Sequence, residues 1–123
     1  MRPPFDSAGS VALILAAALA GAATRWALLE VLPTAQPLAW PLVAVNAAGC
    51  ALIGWAVVRI EAEPHLAAVT YGFCGALTSA SSFALEVARR LDGGAVGAGA
   101  AHVALTLAAT GAAFVAGRRV ALR

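Results

Sequence analysis

Lysine is absent from this chain, and charge of any kind is scarce: eight arginines and six acids make up 11% of the 123 residues. Soluble domains carry about 25% charged residues, so a water-facing fold is excluded at the outset. Cysteine is nearly absent too. Cys50 and Cys74 stand apart, with no Cys-x-x-Cys and no Cys/His cluster, which removes zinc and thiol redox chemistry and leaves both as small packing residues. The net charge of +2 is too slight to draw nucleic acid. No nucleophile–base pair or Gly-rich phosphate loop can be assembled, so nothing supports an enzyme.

What is present is apolar surface. Hydrophobic residues make up 62% of the chain and fall into four blocks, about 10–32, 38–58, 66–87 and 97–116. Each is near the roughly 20 residues that cross about 30 Å of hydrocarbon. The expectation is an all-α membrane protein: one domain, residues 1–123, of four transmembrane helices. The first block also has features of a signal peptide, with small residues over Leu19–Ala23, but Arg25 and Trp26 follow them directly and favour a retained span. Arg2, Arg59, Arg118, Arg119 and Arg123 fall on the side of the N-terminus and Arg89 and Arg90 on the other, which places both termini in the cytoplasm by the positive-inside rule.

The connections are short. Pro3 and Pro4 prevent an early helix, Asp6 or Ser7 can cap the first span, and Pro33, Pro37 and Pro41 punctuate the first loop, Pro41 fitting an opening helical turn. Arg59–His65 reads as a solvated loop with His65 at the surface, and Leu91-Asp92-Gly93-Gly94 as a tight turn. Loops this short make neighbouring helices antiparallel, with Gly49, Gly54, Gly72, Gly75, Gly97, Gly99, Gly111 and Gly117 available for close approach.

The third block carries Thr78-Ser79-Ala80-Ser81-Ser82-Phe83 at its middle. A single hydroxyl there would bond back to a carbonyl one turn earlier and at most bend the helix. Four in five residues, preceded by Gly72 and Gly75, point to a third helix broken near its middle, and broken helices occur at membrane depth where backbone lines a cavity or holds an ion. Asn46 is the only amide of the second block, Thr106 and Thr110 share a face of the fourth, and Glu86 lies one turn after Phe83. Together these can line a polar track. Arg25, beside Trp26, reads as a snorkelling anchor or an electropositive vestibule residue.

In order and spacing these residues resemble the small fluoride channels of the Fluc, or CrcB, family. That family's third helix bears Gly-x-x-Thr-Thr-Phe-Ser-Thr-Phe-x-x-Glu, and Gly75 to Glu86 align with it without a gap. Gly21-Ala22-x-x-Arg25-Trp26 is similar to its first-helix motif and Asn46-x-x-Gly49-x-x-x-x-Gly54 to its second. The resemblance implies a fluoride-specific, passive channel that relieves fluoride toxicity, in the cell membrane of a prokaryote. It implies an antiparallel, dual-topology dimer in the bilayer, and a structural sodium ion at the interface held by the carbonyls of Gly75 and Thr78. Asn46, Ser82, Phe83, Thr106 and Thr110 would line the fluoride path, with Arg25 and Glu86 supporting the vestibule or the helix break.

The chain departs from the family along that path. Ala80 replaces the first signature Phe, Leu42 stands where the family has Thr, and Ala17-Ala18 replaces a Gly pair. Each pore of the family takes its two Phe from different subunits, so the expected partner is a second, oppositely oriented subunit that supplies the missing ring: a heterodimer rather than a homodimer. A non-conducting membrane scaffold is the alternative. A small multidrug exporter fits less well, because the only acid of the first helix is Glu30, near its end.

Overall fold

The computed structural model describes residues 6–32 and 39–123. The expectations for Arg2, Pro3, Pro4, Pro33, Pro37 and the first residue of the second block, Leu38, lie outside the described residues. Six α-helical segments and one π-helical turn follow in order: α1 Ala8–Val31, α2 Trp40–Arg59, α3 Glu63–Ala67, the π turn Ala68–Cys74, α4 Gly75–Leu77, α5 Ala80–Asp92 and α6 Val96–Ala121.

Three of them, α1, α2 and α6, are long and apolar enough to cross a membrane. The third block is different. The run from Glu63 to Leu77 and the run from Ala80 to Asp92 are each only about 20 Å long, and end to end they reach about 40 Å. Neither half is long enough to cross about 30 Å of hydrocarbon alone; end to end they are. The break between them falls near the middle of that length, at the hydroxyl cluster.

Local chemistry sets the ends. Ser7 caps α1, its Oγ accepting from the Ser10 amide at 3.1 Å. Pro41 sits in the first turn of α2, where its missing N–H costs nothing. The turn after α5 closes with Gly94 at φ 75° and the Ala95 amide donating to the Arg90 carbonyl at 2.8 Å. His65 is exposed, but inside the short helix α3 rather than in a loop, because Pro64 opens that helix and Glu63 occupies its first turn.

Packing is by backbone approach. A Cβ added to Gly54 of α2 would meet the Phe114 carbonyl oxygen of α6, and one added to Gly117 of α6 would meet the Ala51 carbonyl oxygen of α2. The reciprocal pair locks the α2–α6 contact. Gly21 and Gly72 do the same for α1 and the π turn, against the Phe73 and Ile14 carbonyls. Close helix approach replaces the hydrophobic drive that lipid cannot supply. Gly97 and Gly111, expected to serve packing, face open space in the single chain.

Candidate functional site: a polar groove at the helix break

The break is held from two sides. In an unbroken helix the Ser79 amide would donate to the Gly75 carbonyl; here it donates to Asn46 Oδ1 at 2.9 Å. The Gly75 carbonyl thereby loses its helical partner. Thr78 turns extended, φ −79° and ψ 155°, and Ser79 becomes the N-cap of α5, its Oγ accepting from the Ser82 amide at 3.1 Å. Gly49, three residues after Asn46, faces the Thr78 methyl so closely that an added Cβ would collide with it. The Asn46-x-x-Gly49 pair thus seats the break: one residue caps it and the other makes room for it. From the other side Arg25 donates to the Thr78 carbonyl at 3.3 Å.

Beside the break runs an open groove of about 240 Å³, lined by Asn46, Cys50, Ile53, Thr78, Ser79, Ala80, Phe83, Thr106, Leu107 and Thr110. Three elements converge on it: α2 brings Asn46, the break brings Thr78 to Phe83, and α6 brings Thr106 and Thr110. Thr106 is 7% exposed, and its hydroxyl, buried in the protein, finds no hydrogen-bond partner among the described residues. Burying a hydroxyl without a partner is unfavourable, which sets Thr106 apart from the other hydroxyls of the groove.

The other hydroxyls divide. Thr110 Oγ1 donates to its own helix, to the Thr106 carbonyl at 2.7 Å, and Thr78 Oγ1 to the Cys74 carbonyl at 2.9 Å, the back-bonding usual for threonine in apolar helices. Ser79 Oγ donates to Ser82 Oγ at 2.7 Å, so Ser82 accepts within the cap. Ser82 and Glu86 do not line this groove. They line a separate cavity of about 370 Å³ with Leu29, Pro41, Leu42 and Arg89, and Glu86 pairs with Arg90 one turn on. The sequence offers Glu86 to a polar track and, through the resemblance, Ser82 to the ion path; four residues apart, the two share a face of α5 turned away from Phe83, and that face lines a cavity with Pro41 and Leu42 of α2's opening turn.

Two residues were not legible as parts of this site. Ser79 reads as one hydroxyl among four, yet it is the cap that makes the break; its position just before a helical run was the available signal. His102 of α6 is fully buried and stacks on Phe83, ring centroids 5.6 Å apart at 29°. Its signal was its place one turn before Thr106 on the same face.

Residues 12–118 match the family model described as CrcB-like protein, Camphor Resistance (CrcB). The chain belongs to the CrcB family. It is 34% identical over 111 residues, 87% of this chain and 78% of the relative, to a Nocardia farcinica protein named Fluoride-specific ion channel FluC 1. It is 40% identical over 104 residues, 79% of this chain and 78% of the relative, to a Bordetella petrii protein named Fluoride-specific ion channel FluC. A Pectobacterium atrosepticum protein of that name is 34% identical over 94 residues, 72% of this chain and 74% of the relative. Membership in CrcB, with three apolar helices of spanning length and a fourth in two halves, makes the chain a multi-pass membrane protein of bacterial type, and not an enzyme.

Proposed function

We propose that this CrcB chain is a subunit of a fluoride-specific channel that lets fluoride leave the cytoplasm passively, down its electrochemical gradient. The observation that carries the proposal is the buried, unpartnered hydroxyl of Thr106 in a groove shared with Asn46 and Phe83. Fluoride holds its water strongly, and a path for it must replace that water without a fixed charge that would trap the ion. Neutral donors meet both demands. Thr106 and the amide of Asn46 supply them, and an aromatic ring edge carries partial positive charge that an anion can approach. Thr110 contributes its hydroxyl only by exchanging a helix carbonyl for the ion.

A single chain leaves the groove open on its surface, at a depth where lipid would face Ser81 and the unpaired first amides of α5. A second subunit in the opposite orientation covers it. Because Ala80 carries no ring, the partner is a related chain that has one, giving a heterodimer.

A structural sodium ion belongs to the same proposal. Peptide carbonyls at the C-terminal end of a helix carry partial negative charge and suit a hard cation. The Gly75 carbonyl is released from its helix, and the Thr78 carbonyl keeps one lone pair beyond its bond from Arg25. Two carbonyls from one chain are part of a coordination shell, and the second subunit adds to it.

The test is fluoride efflux from liposomes, read with a fluoride electrode, for the chain alone and for the chain reconstituted with a paired CrcB subunit. Little efflux alone and rapid efflux with the partner is the expected result. Rapid efflux from the chain alone would remove the heterodimer, and none in either case would make the chain a non-conducting scaffold.

A further inference from the structure

We propose that His102 is a positioning residue for Phe83: its imidazole fixes the plane of the one aromatic ring this chain presents to the groove, and so sets discrimination between anions. The inference rests on the fluoride-channel reading for its functional consequence, but its structural content stands apart. His102 is completely buried, and its ring lies against that of Phe83 at a centroid separation of 5.6 Å and 29° between planes. That is an offset-stacked geometry, within the 4.5–7 Å range that aromatic pairs prefer.

The orientation of Phe83 matters more than its presence. The ring quadrupole is positive at the edge and negative on the face, so one ring attracts an anion in one orientation and repels it in another. A phenylalanine beside an open groove of about 240 Å³ has room to swing, and Ala80, one helical turn before it on α5, offers no second ring to hold it. Among the described residues the ring that stacks on Phe83 is that of His102. It is carried on α6 one turn from Thr106, so the same helix that presents the unpartnered hydroxyl also sets the ring beside it.

The chemistry specifies what can replace it. If the ring plane is what counts, any flat side chain of similar size preserves the function, and a branched aliphatic of similar volume does not. In liposomes holding the conducting assembly, His102→Phe should keep the fluoride-over-chloride efflux ratio within about twofold, while His102→Leu lowers it about fivefold, with the solubilised yield of folded protein retained. A second readout needs no transport. With ring-labelled phenylalanine in the detergent-solubilised chain, and the Phe83 resonances assigned by their loss in Phe83→Leu, His102→Leu should move those resonances and His102→Phe should leave them dispersed. Should His102→Leu fail to fold, His102→Gln, polar and without a ring, takes its place. Equal selectivity and unmoved Phe83 resonances in the Leu or Gln variant would overturn the proposal, as would a Phe variant as impaired as Leu. If the parent assembly passes no fluoride, the channel reading falls, and the ring resonances alone decide whether His102 holds Phe83.

Discussion

The backbone amide of Ser79 donates to the side-chain oxygen of Asn46 across 33 residues of chain, at 2.9 Å in a buried setting. One side chain on α2 thereby ends the helix that precedes the break and orients the helix that follows it. This gives Asn46 two separable duties: its oxygen holds the break, and its amide nitrogen remains the end available to the groove.

Asn46→Leu should therefore cost both stability and conduction. The Ser79 amide would be left buried without an acceptor, a penalty of about 1–3 kcal/mol. Asn46→Asp keeps an acceptor oxygen for Ser79 but puts a carboxyl in place of the amide donor, so fluoride efflux should fall in both variants. Equal melting of the Leu variant and the parent would show that the cap is dispensable.

Thr106→Val separates function from folding in the opposite direction. The hydroxyl has no partner among the described residues, so exchanging it for a methyl of the same shape removes a burial cost and leaves the melting temperature unchanged or higher. Hydrogen bonds to a charged group contribute about 1.5–3 kcal/mol, so losing this donor should slow fluoride efflux by roughly tenfold or more. A Val variant that melts lower would mean that the hydroxyl serves the fold.

How far the sequence reveals this site follows from the range of the interactions. The four apolar blocks, the broken third helix and the Gly-mediated packing depend on local composition, and each is legible from the chain. The break is also where reading stops. Nothing local tells that Asn46 turns its oxygen to Ser79, because that bond depends on how α2 docks. Glu86 and Ser82 sit in the right motif, but they share a face of α5 turned away from Phe83 and line a different cavity, and Glu86 pairs with Arg90. His102 is surrounded in sequence by Ala, Val and Leu, and its role appears only when α6 lies against α5 and brings the ring of Phe83 to it.

Gly54 and Gly117 should tolerate no side chain. At each, an added Cβ meets a backbone oxygen of the facing helix, and backbone cannot step aside without separating α2 from α6. Gly54→Val or Gly117→Val should lower the yield of folded protein and broaden its elution in detergent, whereas Gly111→Ala, which meets nothing within 4 Å in the single chain, should leave the fold of the subunit intact. If Gly111→Ala disrupts the assembly while the subunit still folds, that face of α6 lies against the partner.

Arg25 tests the proposed sodium ion. Its guanidinium already donates to the Thr78 carbonyl at 3.3 Å, and a sodium ion sharing that oxygen would sit beside a like charge. The two are then partial competitors: the arginine orients the carbonyl, but its charge opposes the cation, and at this range the opposition amounts to a few kcal/mol at an effective dielectric constant of about 20. Arg25→Gln keeps a donor and loses the charge. When sodium is replaced stepwise by a large organic cation, the melting transition of the assembly should depend on sodium in the parent, and in the Gln variant the midpoint should move to lower sodium by about tenfold or more. A midpoint that moves to higher sodium would show that the guanidinium's orienting bond outweighs its repulsion. A transition indifferent to sodium in both proteins would remove the ion from the account and leave Arg25 as the group that satisfies the break.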